Sequence, residues 1–375
     1  MRLKNAMGII LTGGNKSGMK ELSSVRATAA IPVGGKYRAI DFVLSNMVNS
    51  GITNIGVLTQ YNFRSLMDHL GTGKEWDLDR KNGGLFIFPP YLSDDGSGWY
   101  KGTADAMYNN LTYLLRSSQE YVIVSVGNSV CKMNFEKMLD YHIQKGADIT
   151  IAYRDMSDLY PEDLTLLGIL SVDDDQRITD FEEKPLRPKG NLGSMGIYVM
   201  KRELLIYLLE ECIAHGNYDF VRDVLIKKLD SLKIYGYRFN SYWRSISSIK
   251  MYYKCNMELL DPDICCQLFV DGGKIYTKVK DEPPAKYNDE AEVRNSIIAD
   301  GCIIEGNVEN SVLFRGVTVK KGTSIKNCII MQGTVIEPGS SLEYAVVDKN
   351  VLITEGKNLK GDPEWPIIVG RRTVV

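Results

Sequence analysis

The run YVIVSVGNSV at residues 121–130 reads as a β-strand that closes on a glycine and opens onto polar residues. The carboxyl end of such a strand is where α/β nucleotide enzymes commonly place a metal-binding carboxylate. Here that place holds an amide, Asn128. GTADA at 102–106 sets small residues at a helix start, where backbone N–H groups can approach a nucleotide closely. In EEKP (182–185), Lys184 is a point charge suited to a phosphate, with Glu183 beside it. Taken alone, that lysine reads as a solvated surface residue. A glycine-rich turn, GGNKSGMKELS (13–23), follows the opening apolar strand. Phosphoryl chemistry with an amide at the strand end, or an enzyme's body with another task, are the two alternatives these residues pose.

Composition narrows the setting. With 375 residues the chain exceeds the usual single-core size, so two domains are expected. Its 45 basic and 47 acidic residues give a net charge of −2 without a long like-charge block, which argues against nucleic-acid binding. The seven cysteines form no CxxC pair and read as free thiols, and the three histidines (His69, His142 and His215) are too scattered for a zinc site or a histidine-based triad. The apolar run within residues 1–14 is too short for a signal peptide or membrane span. A cytoplasmic protein without membrane partners is expected.

The elements that must position these residues fall into two patterns. Up to about residue 262, apolar strands alternate with amphipathic helices: MGIILTGG (7–14) and NIGVLTQ (54–60) as strands, DFVLSNMVNSG (41–51) as a helix, ADAMYNNLTYLLRSS (104–118) as one helix. NFEKMLDYHIQKG (134–146) follows as an Asn-capped helix and DITIAYR (148–154) as a strand. This alternation predicts a mostly parallel sheet covered on both faces. After a linker at 263–290, aliphatic residues recur every six positions from 291 to the end: Ile298 and Ile304; Leu313, Val319 and Ile325; Ile330, Ile336 and Leu342. Glycines 301, 316, 322, 333 and 339 fall between them. A six-residue aliphatic repeat predicts a parallel β-helix, whereas an ordinary antiparallel sheet would show period two. Hexapeptide-repeat acyltransferases share such coils but use a histidine there, and no histidine follows residue 215. The open end of a β-helix favours oligomerisation.

The segments GGKYRAIDFVLSNMVNSGI (34–52), GVLTQY (56–61), WYKGTADAMYNNL (99–111), KMNFEKMLDYH (132–142), ITDFEEKP (178–185) and SMGIYVM (194–200) carry a resemblance over essentially the whole chain. It is similar to the bacterial glucose-1-phosphate adenylyltransferases, in which a Rossmann-like (GT-A-like) α/β nucleotidyltransferase domain, here 1–262, precedes a left-handed parallel β-helix, here 291–375. The resemblance implies that Gly13, Gly14, Gly102, Thr103, Ala104 and Asp105 descend from a nucleotide site, and Glu183, Lys184 and Ser194 from a sugar-phosphate site.

Three local devices of that family are altered. The phosphate loop, approximately GGxGxRLxPLT in the family, keeps Gly13 and Gly14 but has Lys16 for the third glycine, Gly18 for the arginine and Glu21 for the proline. The family's Lys-Pro further on is Thr28-Ala29. The GD at the YVIV strand end is Gly127-Asn128, and YWRDVGT is YWRSISS (242–248), so Ser245 and Ser247 replace aspartate and glycine. Both metal-binding aspartates are therefore absent, and with them the anionic oxygens that Mg²⁺ prefers. Asp105 or Asp219 could stand in by residue type.

The resemblance to the GlgD-type regulatory subunits of this family implies a catalytically deficient chain that joins a catalytic subunit in a heterotetramer and alters its activity or effector response during glycogen biosynthesis. No metal or cofactor is then expected on this chain, with Mg²⁺ used by the catalytic partner. Arg26, Arg38, Gln60 and Tyr100 fall at effector-linked positions of the relatives, and Arg371 and Arg372 are further phosphate-pairing candidates. An active adenylyltransferase with rearranged metal ligands, and a sensor of sugar phosphates or nucleotides without enzymatic activity, are the alternatives.

Overall fold

The computed structural model describes residues 5–13, 17–90 and 98–375. Gly14 and Lys16 of the glycine turn lie outside the described residues. Two compact units emerge, Met1–Gly14 with Phe42–Trp243 and Asn15–Asp41 with Arg244–Val375. They cut the chain differently from the sequence segments, because residues 15–41 and 244–262 group with the coils.

The first unit is built on a sheet of nine described strands. Ala6–Leu11 is an interior strand, parallel to Asn54–Leu58 on one side and Tyr121–Val126 on the other. Gly84–Phe88 extends the sheet in parallel beyond Asn54–Leu58. Every residue of Ala6–Leu11 is buried, which is why the strand reads as a continuous apolar run rather than an alternating one. The sheet is mixed beyond Tyr121–Val126: Leu192–Lys201 runs antiparallel to it and to Ile149–Asp155, and Ile234–Arg238 pairs in parallel with the latter. A hairpin, Gly168–Val172 with Ile178–Glu183, joins through the pair Gly193 and Ile169. Strand direction leaves no trace in an apolar run, so alternation alone could not reveal this reversal.

Helix boundaries follow their caps. Phe135–Lys145 starts where the Asn134 side chain accepts from the N–H groups of Glu136 and Lys137, and stops at Gly146, whose φ of +56° suits a left-handed C-cap. The stretch expected as one helix over 104–118 is instead two, Thr103–Tyr108 and Leu111–Arg116. At the break, the Asn109 and Asn110 amides donate to the carbonyls of Asp105 and Ala106 at 2.8 and 2.9 Å. Such side-chain bonds to residue i−4 compete with the helical ladder.

In the second unit the linker stretch begins with a helix, Pro262–Phe269, capped by Asp261 and opened by a proline at its first position. The coils form three parallel sheets of five strands each, a three-faced parallel β-helix consistent with the left-handed form. One face stacks Ile304, Val319, Ile336 and Ile353; a second Val308, Ile325, Leu342 and Leu359; the third Ile298, Leu313, Ile330 and Val347. Each inward aliphatic thus meets its counterpart one coil away, and the stack forms a continuous core. The repeat is not uniformly six. From the second face to the third it drops to five, as from Val308 to Leu313 and from Ile325 to Ile330. Left-handed residues turn that tight corner in the first four coils: Asn295, Asn310, Asn327 and Tyr344, with φ of +41°, +46°, +52° and +49°. Asparagine tolerates this conformation because its amide can bond locally.

Candidate active site and a cluster of cations

In the first unit, the registers Leu11 with Leu58 and Leu11 with Val126 bring three strand ends to one edge. Gly13, Gln60 and Gly127-Asn128 leave the sheet there, and the Gly127 N–H donates to the Leu11 carbonyl at 2.9 Å. This is the carboxyl edge at which parallel α/β sheets bind ligands. Gly13 is exposed, and a Cβ there would meet the Gln60 Oε1 at an ordinary contact distance of 3.4 Å.

The GTADA segment is fastened from within. The N–H groups of Ala104 and Asp105 both donate to the Tyr218 carbonyl, at 2.8 and 3.2 Å. Thr103 Oγ1 accepts from the Phe220 N–H at 2.9 Å. Gly102 is extended, and a Cβ there would stand 2.3 Å from the Tyr218 oxygen. Glycine is therefore demanded by the approach of residues 218–219, and the Ala104 and Asp105 N–H groups at the helix start are taken up by the Tyr218 carbonyl. Asp105 accepts from the Lys101 N–H at 2.7 Å and the Asn109 amide at 3.0 Å. Asp219 caps the next helical turn by accepting from Val221 and Arg222. Both carboxylates that could replace the missing aspartates thus hold backbone in place.

Glu183 and Ser194 both act on the buried hydroxyl of Tyr198. That phenol is pushed up chiefly by burial and further by the charges of Glu183 and Asp219, while the Ser194 side chain lowers it. Ser194 Oγ also accepts from the Gly196 N–H at 3.2 Å, where the strand register shifts. Lys184 has a φ of +51° and pairs with Glu183 at 2.9 Å, its side chain half exposed. The sugar-phosphate triad of the sequence reading is thus partly gathered around a residue it did not name, Tyr198; only the tertiary fold brings that phenol to Glu183.

Gln60 and Tyr100 are joined by a 2.7 Å bond from the Gln60 amide to the Tyr100 carbonyl. Tyr100 is buried, donating to the Pro89 carbonyl and accepting from Asn110. Beside them Tyr61 and Trp99 stack with ring centroids 4.9 Å apart, both rings exposed.

In the second unit, Ser245 ends the short strand Trp243–Ser245 and is buried. Arg244 beside it forms a two-pronged pair with Glu258 at 2.9 and 2.8 Å. Ser248 caps the helix Ile249–Glu258 through the Met251 N–H. Gly18 is pressed against this motif: a Cβ there would lie 2.2 Å from the Ser247 carbonyl oxygen. Glu21 lies exposed in the turn Lys20–Ser23.

Nucleotidyl transfer of the kind the resemblance implies uses Mg²⁺, a hard cation usually held by carboxylates together with substrate phosphates. Asn128 and Ser245 offer a neutral amide and a neutral hydroxyl. Among the described residues no group of three or more His, Cys, Asp and Glu side chains could hold a metal. An amide oxygen can coordinate such an ion, but neither position supplies the anionic charge that Mg²⁺ prefers.

Cations gather elsewhere in this unit. Arg26 is buried and forms a two-pronged ion pair with Asp348 at 2.8 and 3.0 Å, with Met331 Sδ at 3.6 Å. Its charge is therefore spent internally. Lys349, the next residue, is pulled down to about 7, first by burial and then by Arg38, Arg26 and Lys280. Lys280 is lowered by burial and by Arg315 and Arg38. The Arg315 Nε is buried without a hydrogen-bond partner. Arg38 acts on both lysines and Arg315 on Lys280, with Asp348 and Glu282 acting in the opposite sense, so Arg38, Lys280, Arg315 and Lys349 form a cluster of positive charge that favours an anion. Of these the sequence pointed to Arg38 alone, because the others come from three separate stretches of linker and coil. Arg371 and Arg372 are exposed, and the Arg372 N–H donates to the Lys349 carbonyl at 3.1 Å.

No helix among the described residues is long and apolar enough to cross a membrane. Residues 7–262 match the family described as nucleotidyl transferase, and residues 283–365 match the GlmU-like C-terminal hexapeptide family. Over 326 residues the chain is 41% identical to a glucose-1-phosphate adenylyltransferase of Geobacillus stearothermophilus, covering 86% of this chain and 84% of that protein. The corresponding enzyme of Thermotoga neapolitana is 43% identical over 326 residues, 86% of this chain and 76% of its own. That of Bacillus subtilis is 41% identical over 325 residues, 86% and 85% of the two chains. The two-part match, its coverage and the arrangement of strand ends and coils lead to one conclusion: this chain belongs to the glucose-1-phosphate adenylyltransferase family of nucleotidyl transferases.

Proposed function

We propose that this chain is a catalytically deficient, regulatory subunit of glucose-1-phosphate adenylyltransferase, the enzyme that converts ATP and glucose 1-phosphate into ADP-glucose and pyrophosphate in glycogen biosynthesis. One observation carries the reading. Asn128 and Ser245 stand where the family places its metal-binding aspartates, and the two carboxylates that could replace them, Asp105 and Asp219, are bound to backbone N–H groups. Loss of one electrostatic stabiliser of this kind costs about 10²-fold to 10³-fold in rate. Two such losses leave at most trace turnover. Mg²⁺ is then used by the catalytic partner in a mixed tetramer.

The regulatory half of the reading is supported by the cations Arg38, Lys280, Arg315 and Lys349, which suit a phosphorylated effector. Coupling such a site to a partner's activity requires an interface with two states that the effector biases. The second reading, an active enzyme with rearranged ligands, is favoured by 41% identity to proteins named as the enzyme.

The test is ADP-glucose formation by the chain alone, by its catalytic homologue alone, and by the two co-expressed. The regulatory reading expects the lone chain to turn over at least ~10²-fold more slowly than the homologue, and the co-purified complex to differ from the homologue in rate or effector response. Robust turnover by the lone chain supports the active-enzyme reading instead. Failure to co-purify or to change the homologue's kinetics leaves a sensor.

A further inference from the structure

Along the tight corner of the coils the residues Asn295, Asn310 and Asn327 stack one above another, about 4.8 Å apart as in any parallel ladder. They form one side of a groove of ≈ 530 Å³. The other side is apolar: Tyr253 and Met257 from the helix Ile249–Glu258, then Leu260 and Pro262 from the turn that follows. Asp261 is the single charged residue on the lining. The volume falls within the range of small-molecule sites, roughly 300–1,000 Å³.

The polar groups on offer here are side-chain amides. The corner N–H groups are already used, Asn310 donating to the Arg294 carbonyl and Asn327 to the Glu309 carbonyl, both at 3.1 Å. The Asn327 carbonyl accepts from the Tyr253 hydroxyl at 2.8 Å. A peptide strand therefore finds no backbone edge to extend. The Asn295 amide nitrogen donates to Asn310 Oδ1 at 2.8 Å, which orients the pair and leaves the Asn310 amide nitrogen unbonded among the described residues. Among the described residues nothing bonds the Asn327 amide.

An amide carries two donors and an acceptor of two lone pairs. A row of amides thus matches a row of hydroxyl groups, each of which both gives and takes. No cation lines the groove, and Asp261 repels anions, so phosphorylated ligands are disfavoured. The apolar wall would cover the C–H faces of a ring.

We infer that the groove between the asparagine corner and the helix Ile249–Glu258 binds a neutral oligosaccharide. This site shares no residue with the cation cluster and does not depend on whether the chain is catalytic.

The probe is maltotriose, titrated calorimetrically into the full-length chain. Asn310→Gly with Asn327→Gly removes both amides while glycine accepts the left-handed corner without strain. Met257→Trp fills the groove from the opposite wall. Saturable binding to the unaltered chain, weakened about tenfold or more in each variant, is expected, with unchanged circular dichroism. Absence of saturable binding, or equal affinity in a folded variant, overturns the inference. A concentration-dependent dimer that maltotriose leaves intact and both variants disperse would also overturn it, assigning the groove to a second copy of the chain.

Discussion

Gly18 and the Ser247 carbonyl touch so closely that a Cβ on Gly18 would lie 2.2 Å from the oxygen. Within the family resemblance, Gly18 stands in place of an arginine and Ser247 in place of a glycine. Two departures that look independent along the chain therefore meet in one backbone contact. Arginine cannot return to position 18 while the carbonyl of residue 247 stays where it is. Gly18→Ala should lower unfolding free energy by about 1–3 kcal/mol, the usual cost of overpacking. Urea denaturation would measure it, and an unchanged midpoint would show that the contact yields freely.

Arg26 and Asp348 pair almost without access to water, at 3% and 1% side-chain exposure. Removing one partner strands the other charge. Arg26→Ala or Asp348→Ala should each cost about 3–5 kcal/mol, whereas Arg26→Met with Asp348→Leu should recover most of the loss, since a buried pair often does no better than well-packed apolar side chains. Denaturant titration of the unaltered chain, the two alanine variants and their double alanine combination as a double-mutant cycle reads the coupling, with the Met/Leu variant measured beside them. A single variant as stable as the unaltered chain would show that the pair is dispensable.

Lys349 titrates near 7 in the folded chain and near its ordinary 10.5 when unfolded. Between those values the unfolded state carries the extra proton, so stability should rise with pH from about 7 to about 10.5 and level off on either side. Lys349→Met should flatten that segment of the curve. An anion seated among Arg38, Lys280, Arg315 and Lys349 favours the charged amine, so its binding near pH 7 should take up protons. Calorimetry of a sugar bisphosphate in two buffers of different ionisation enthalpy would reveal the uptake, and Lys349→Met should abolish it.

Asn128→Asp combined with Ser245→Asp returns carboxylates to both altered positions. Mg²⁺-dependent ADP-glucose formation should become measurable yet remain at least ~10²-fold below that of a catalytic relative, because Gly18 still denies the loop its cation. A coupled assay for pyrophosphate release would follow it. Full restoration would mean that the glycine loop contributes little.

The strand ends, the Asn134-capped helix and the six-residue aliphatic rhythm were legible because each rests on local periodicity or a local cap. Asn128 and Ser245 could be singled out by type, since replacing an acid by an amide or hydroxyl changes charge whatever the surroundings. The split at Asn109 and Asn110 was harder to read: back-bonding asparagines look like ordinary helix surface until their partners are fixed.

Sequence by itself determined the two architectures and the absence of charge at the altered positions, for residue identity alone sets which periodicity can bury a face and which side chain can ionise. Only the tertiary structure decided that Gly18 is held against Ser247, that Arg26 is consumed by Asp348, and that Lys349 joins cations from distant stretches. These are facts of distance and desolvation, and neither exists until segments hundreds of residues apart are packed together.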